Sequence, residues 1–268
     1  MRATPVREEK GIGKMMAAVR HVRRTGFGRA GVMAAVALAV LFIASAARAQ
    51  EANDPLEPVN RAVFGFNLFV DEWVFEPVAR AYRFVAPEPV RQSVSNFLSN
   101  LRSPVVFAND LLQGERERAG ITLGRFMINS TLGVFGLFDA ASGFGYHGHY
   151  SDLGQTLGVY GVPDGPYLML PFLGPSNVRD TVGRVGDYFI NPLNSCCITT
   201  DDRYAIYGTT AVSEREANIE LFNDLRTNSL DLYATLRTIY TQRRAAEVRK
   251  GAPPENPETY DDIFKDDE

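Results

Sequence analysis

The sequence predicts a mainly α, compact helical single domain with a glycine- and proline-rich apolar centre. Helical spacing of apolar residues runs through most of residues 54–131 and again through 201–250. Between these blocks, Phe126 to Val178 spans 53 residues whose only charged side chains are Asp139, Asp152 and Asp164, yet it carries ten glycines and four prolines. A water-facing loop is not this apolar, and an ordinary core element is not this broken by Gly and Pro. A spanning helix needs about 20 unbroken apolar residues, which the segment never reaches. Two readings follow from composition: an irregular buried centre of a soluble domain, or a segment seated partly in hydrocarbon and sheltered by surrounding protein.

Taken in order, the first helix is announced by Asp54 as a cap, Pro55 at the first helical position and Glu57 three residues after the cap. Val59, Val63, Phe66 and Val70 recur at helical spacing, while Phe64, Phe66, Phe69, Trp73 and Phe75 crowd both sides, so this helix is either deeply buried or lipid-facing. Glu88-Pro89 opens a second helix, with Val90, Val94, Phe97, Leu98 and Leu101 on one stripe. Ser103-Pro104 predicts the start of a third, ending at Gln113-Gly114. A fourth runs from Glu115 to Asn129, with a charged first turn and an apolar far end. That dry end leads into Thr131–Asp139, where Gly133 and Gly136 within an apolar octet predict two short helical arms meeting at a hinge, or else a rigid buried turn. Leu153–Val159 reads as a short helix and Tyr167–Leu170 as a short strand; Ser176 is expected to cap a helix through Tyr188. Asp201–Arg226 and Ser229–Lys250 read as two longer amphipathic helices, the latter with Leu230, Tyr233, Leu236, Ile239 and Tyr240 on one face. There is no internal repeat.

The N-terminus sets the compartment. Arg20, Arg23, Arg24 and Arg29 precede an apolar run from about Gly31 to Ala46 that closes on Ala47-Arg48-Ala49, a secretory signal peptide occupying residues 1–49. The 29 residues before the run place Met15 or Met16 as alternative starts. The exported domain is then residues 50–251, followed by a disordered acidic tail over 252–268. Residues 1–49 hold 9 of the 28 basic and 2 of the 32 acidic residues, leaving 19 basic against 30 acidic and a net charge of −11. Such a balance argues against nucleic acid as a partner, because that binding rests on neutralising phosphates with Lys and Arg. No lysine occurs between Lys14 and Lys250, which removes P-loop and Schiff-base chemistry from the folded body. Cys196 and Cys197 are adjacent, with Cα atoms about 3.8 Å apart, below the usual disulfide range, and build no disulfide framework.

No catalytic arrangement emerges from the sequence. His147-Gly148-His149 with Asp152 nearby offers two imidazoles and a carboxylate, as zinc hydrolases use, but lacks a third histidine and any H-E-x-x-H spacing. Gly174-Pro175-Ser176-Asn177-Val178 lacks the final glycine of a nucleophile elbow. Asp201-Asp202 is read as an acidic first helical turn. The expectation is therefore a protein that is not an enzyme and has no cofactor and no metal site.

Ordered blocks along the chain carry a family resemblance. They are Asn53-Asp54-Pro55-Leu56-Glu57-Pro58-Val59-Asn60-Arg61, Ser95-Asn96-Phe97, Leu111-Leu112-Gln113-Gly114, Arg125 through Gly133, and Asp139-Ala140-Ala141. The density is greatest from Leu157 through Val162, Gly165 through Pro171, Gly174-Pro175-Ser176 and Arg179-Asp180. Over roughly Asn53 to Arg244 the chain resembles the VacJ/MlaA proteins of the Gram-negative outer membrane. The resemblance implies a ring-like, mostly helical protein sunk into the inner leaflet of the outer membrane, with an amphipathic channel. It implies removal of phospholipid mislocalised to the outer leaflet and its transfer to a soluble periplasmic carrier protein, with a trimeric outer-membrane porin as a further partner. Family members are commonly lipoproteins with a Cys directly after the signal peptide; here Gln50 follows Ala49, so the usual lipid anchor has no attachment point. The expectation is residence at the periplasmic face of the outer membrane through an apolar girdle, a porin-like partner or an uncleaved signal.

Phe126, Leu132, Val134, Phe135, Leu137, Phe138, Tyr167 and Phe172 are the candidate lipid-path or membrane-contact side chains, and Gly133 and Gly136 the candidate hinge. The phospholipid conduit competes with two other readings: a structural envelope protein linking a porin to the periplasm, and a periplasmic hydrolase using His147, His149 and Asp152.

Overall fold

A continuous helical rod opens the structure, a computed structural model that describes residues 54–194, 198–250 and 252. The segment expected to be a signal peptide, Cys196, Cys197 and the expected acidic tail beyond Ala252 lie outside the described residues. The rod comprises helix α1 (Glu57–Val70), a π-helical turn (Asp71–Phe75) and α2 (Glu76–Val85). Its start falls two residues later than the capping pattern predicts. Asp54 is not the N-cap; its carboxylate accepts from Leu56 N (3.1 Å) and Asn60 Nδ2 (2.9 Å) and takes the Tyr233 hydroxyl, tying the start of the rod to the helix that carries Tyr233. The π turn has a cause in sequence. Pro77 has no N–H to give Trp73, and the backbone widens so that Glu76 N bonds Asp71 O instead.

The two helices expected over 88–113 are one. Helix α3 (Glu88–Leu112) runs 25 residues with Pro104 inside it. An interior proline costs about 3 kcal/mol, but the turns after Pro104 bury Val105, Val106, Asn109 and Asp110 against α4 (Arg116–Thr131) and later elements, and that packing outweighs it. Helices α5 (Ala140–Gly143) and α6 (Leu153–Val159) follow, capped by Asp139 and Asp152. Strands β1 (Tyr167–Leu170) and β2 (Gly174–Asn177) pair antiparallel, Tyr167 opposite Asn177 and Leu170 opposite Gly174. Ser176 lies in β2, not at a helix start; Asn177 caps α7 (Val178–Ile190) through Asp180 N (2.7 Å). The helix expected over 201–226 breaks at Asn218 (φ −109°, ψ 14°) into α8 (Thr200–Ala217) and α9 (Ile219–Asn228). Helix α10 (Leu232–Val248) closes the chain, with Leu230 fully exposed ahead of it rather than on its inner face. Helix α3 is central, packing on α4, α6, α7 and α8.

The distribution of side chains runs opposite to an ordinary soluble domain. Among the described residues eight apolar side chains are buried, three of them alanine, against eighteen polar or charged ones, while 34 large apolar side chains are exposed. Buried polar groups are tolerated only when bonded, and here they bond densely. Arg244 grips Asp152 with both Nη atoms (2.6 and 2.8 Å) and Asp180 through Nε (2.7 Å) and Nη2 (3.1 Å), joining α10 to α6 and α7. Tyr240 donates to Asp180 from the same helix. Asparagines act as spare backbone. On α1, Asn60 and Asn67 stand two turns apart; Asn60 accepts from Met169 N (2.9 Å) and donates to Tyr167 O (3.0 Å). Asn67 accepts from Phe172 N (2.9 Å) and donates to Leu170 O (2.9 Å), so β1 is zipped to the helix as if to a third strand.

Burial drives the Asp152 carboxyl upward, but the Arg244 fork outweighs it and holds Asp152 below the usual carboxylate range. That stabilisation is complete above the ordinary Asp value of about 3.9 and is lost as pH falls through the lowered value. Burial raises Asp164 and Asp187, so their ionised forms cost stability that is recovered on acidification. Arg244→Ala, which strands two buried carboxylates, is expected to lose roughly 3 to 5 kcal/mol in denaturant melts. Asp152→Asn is expected to flatten the stability profile below pH about 4; wild-type melting in Arg244→Ala would contradict this account.

Candidate functional site

Helix α4 ends at Thr131 in a tip of consecutive turns from Leu132 to Leu137, in place of the two expected helical arms. The orphaned carbonyls at the helix end are met locally: Gly133 N bonds Ile128 O (3.1 Å), Phe135 N bonds Ser130 O (3.1 Å), Gly136 N bonds Asn129 O (2.8 Å) and Phe138 N bonds Gly133 O (2.9 Å). Val134 and Phe135 sit at φ 50° and 58°, a left-handed pair that bulky side chains rarely adopt. Below the tip, Arg125 clamps both oxygens of Asp139 (3.0 Å each), and Asn129 bridges Asp139 Oδ1 (3.0 Å) to Ala141 N (2.9 Å).

Both glycines of this segment are sites of close approach. A Cβ on Gly133 would stand 2.2 Å from Phe138 O, and one on Gly136, whose φ is 89°, would stand 2.6 Å from Asn100 Cβ. The backbone is thus drawn inward at its glycines while Leu132, Val134, Phe135, Leu137 and Phe138 are turned out, Phe135 to 77% exposure.

Of the other predicted residues, Phe126 is half-buried on α4. Phe172 is exposed at the β1–β2 turn, its ring edge-on to Phe66 at 5.3 Å between centroids. Tyr167 does not join the exposed set; its ring packs against Tyr233 and Tyr240, each 6.0 Å away. The structure adds residues absent from the predicted set. Phe66, Phe69 and Trp73 are exposed at spacing i, i+3, i+7, and Phe84, 91% exposed, stands in the last turn of α2. Their signal was the aromatic crowding of this helix, which left burial and lipid contact undivided.

A cavity of about 440 Å³ lies between α3, α4, the 148–150 segment and α8. Ser95, Ser99 and Ser103, one helical turn apart on α3, line it together with Arg102, and their small side chains leave the space open. Leu98 and Val106 give it apolar wall, so polar and apolar surfaces face the same space. His149 lies at its edge, bonded to Asp110 (2.8 Å) beside Thr122, whose hydroxyl donates to the same carboxylate (2.8 Å). Asp152 is instead held by Arg244, and His147 is exposed, so the three residues of the hydrolase reading serve different purposes. Among the described residues no group of three or more His, Cys, Asp or Glu is placed to hold a metal ion. The serine stripe was legible as S-x-x-x-S-x-x-x-S, but a helical stripe does not say whether it faces water, a neighbour or a cavity.

The family model described as "MlaA lipoprotein" matches residues 52–247. The chain belongs to the MlaA family. It is 35% identical over 207 residues to an uncharacterised protein of Rickettsia prowazekii (strain Madrid E), covering 77% of this chain and 81% of that one. It is 35% identical over 214 residues to the intermembrane phospholipid transport system lipoprotein MlaA of Escherichia coli (strain K12), covering 78% and 84%. A solved structure described under "Structural basis for maintenance of bacterial outer membrane lipid asymmetry" superposes with a TM-score of 0.67 at 35% identity, over 74% of this chain and 100% of that chain. No helix among the described residues is long and apolar enough to cross a membrane.

Gly136→Ala tests the inward-drawn tip. It adds a methyl against Asn100 at a left-handed backbone position, and a loss of about 1 to 3 kcal/mol in thermal or denaturant unfolding is expected. Unchanged stability would mean that the close approach at Gly136 is not maintained in solution.

Proposed function

We propose that the chain is a phospholipid conduit of the outer membrane, maintaining lipid asymmetry by passing mislocalised outer-leaflet phospholipid to a soluble periplasmic carrier. The observation that carries this reading is the pairing of an amphipathic cavity with an exterior rich in exposed aromatic and aliphatic side chains. The family relationship and the likeness to a lipid-asymmetry structure support it. A phospholipid crossing hydrocarbon is held back by its headgroup, whose charge is costly to strip of water. A path that offers hydroxyls and charges alongside apolar side chains lowers that barrier without nucleotide or chemistry. Transport in this reading breaks no bond, and the protein is not an enzyme.

In this reading the protein adopts the ring-like, membrane-sunk arrangement of its family, the cavity forms part of the channel, and a porin trimer flanks it. Export is by the signal peptide over residues 1–49, and attachment is by the apolar girdle, because the two cysteines, at 196 and 197, stand far from Gln50. The exposed tip residues and Phe172 meet acyl chains, while Phe126 and Tyr167 line protein beneath them. Movement of the tip pivots at Gly133 and Gly136 and begins with release of Gly136 from Asn100. Residues 252–268 form an acidic tail outside the domain at 50–251.

Deleting the protein is expected to expose phospholipid on the cell surface and to sensitise cells to detergent; normal surface lipid in the deletant would contradict the conduit. The mature protein is expected to stay with membranes through salt and alkali washes. Phe135→Asp is expected to weaken vesicle binding roughly tenfold or more while leaving the melting curve in place, and equal binding by both forms would remove the tip from the membrane contact.

A further inference from the structure

The cavity is lined by two exposed charges of opposite sign, neither of them in an ion pair among the described residues. Four ionisable side chains line it besides Tyr150: Arg102, Arg125, His149 and Glu214. Arg125 is occupied by Asp139, and His149 by Asp110. Arg102 lies over the Tyr150 ring, 4.3 Å from its centroid, and donates to that hydroxyl; its charge acts on the Asp187 carboxylate, but it forms no ion pair among the described residues. Glu214 stands on the opposite wall, on α8; its backbone carbonyl accepts from Asn218 (2.7 Å), while its carboxylate has no hydrogen-bond or ion-pair partner among the described residues. Both are exposed, whereas the partly buried charges of the fold are spent on one another: Arg83 and Arg91 on Glu216, Arg215 on Asp71, Arg244 on Asp152 and Asp180.

We propose that Arg102 and Glu214 form a two-point site for a zwitterionic headgroup, Arg102 taking a phosphate and Glu214 a primary ammonium. An aminoethyl phosphate fits this chemistry: the guanidinium fork suits phosphate oxygens, and the carboxylate accepts from an N–H donor that a glycerol headgroup does not carry. Tyr150 positions the guanidinium through stacking and its hydroxyl. The inference rests on the conduit reading and adds to it a preference among lipids, phosphatidylethanolamine over phosphatidylglycerol.

The test reconstitutes the mature chain in vesicles holding equal amounts of phosphatidylethanolamine and phosphatidylglycerol with matched acyl chains, adds the soluble periplasmic lipid carrier, and counts both species loaded onto that carrier. Wild type is expected to favour phosphatidylethanolamine, with the ratio narrowing roughly tenfold in Glu214→Gln, the loss of one charge-assisted bond. Glu214→Lys is expected to reverse the ratio. Arg102→Gln is expected to slow both lipids, and Arg102→Lys to recover part of the rate with the wild-type ratio. A ratio is insensitive to how much protein folds, so destabilised variants remain informative. Free phosphoethanolamine is expected to compete with the preferred lipid. A wild-type ratio of one, or a ratio unchanged in Glu214→Gln, overturns the inference and leaves the conduit standing. Phosphoethanolamine binding without any lipid preference assigns the pair to a soluble ligand and overturns it as well. Delivery of neither lipid by wild type overturns the conduit, and this site with it.

Discussion

Arg244 is surrounded by three carboxylates, and the interior is arranged around that meeting. Its fork engages Asp152 at the start of α6 and Asp180 in the first turn of α7, and its Nη1 also reaches Glu247 on its own helix (2.9 Å). Of these elements, α7 and α10 pack on β2 of the hairpin, and α6 and α7 back onto α3. A soluble domain of this size would cement such a junction with leucine and phenylalanine. Here the cement is ionic and amide, and its directionality fixes where each helix start must lie. Charged pairs of this kind add little net stability relative to a well-packed apolar core, but removing one partner is severe. They specify geometry.

Using polar groups inside releases the apolar groups for the outside. The tip of α4 shows the coupling locally. Asn129, Asp139 and Arg125 bind the turn from within, the glycines allow close backbone approach, and the large side chains have nowhere to go but outward. The β1–β2 turn repeats the logic: Asn67 holds the backbone on both sides of the turn, and Phe172, left-handed at φ 63°, is turned out against Phe66. Exposed apolar surface on this scale is unfavourable in water and marks a contact with membrane or protein. The cavity extends the same pattern, since a serine stripe on α3 provides space and polarity where an ordinary helix pair would interdigitate.

Much of the fold was legible in local sequence. The mainly α class, the short helix at 153–159, the strand at 167–170 and the start of the helix at Glu88 follow from spacing and capping chemistry. The misses share one cause. At Pro104 the local rule ends a helix and tertiary packing continues it; at Asn218 the local pattern continues a helix and the chain turns. Asp54 and Ser176 carry good capping side chains, yet each is drawn into a long-range or neighbouring bond elsewhere, Asp54 to Tyr233 and Ser176 to Thr181. The site was half legible. The uncharged stretch identified the tip, because composition reports apolarity directly. It could not place Tyr167, whose aromatic partners Tyr233 and Tyr240 come from the far end of the chain. Nor could it find the cavity, which exists only where α3 and α8 face each other across the 148–150 segment.

In the proposed function the outward-facing apolar surface meets acyl chains. Trp73 is the only tryptophan in the sequence and stands on that surface, 70% exposed, next to Phe69. Its fluorescence in vesicles carrying bromine at graded depths along the acyl chain measures the contact directly. The account predicts a blue-shifted emission, quenched most strongly by bromines within one leaflet. Emission at the position of water-exposed indole, indifferent to bromine at every depth, would contradict it.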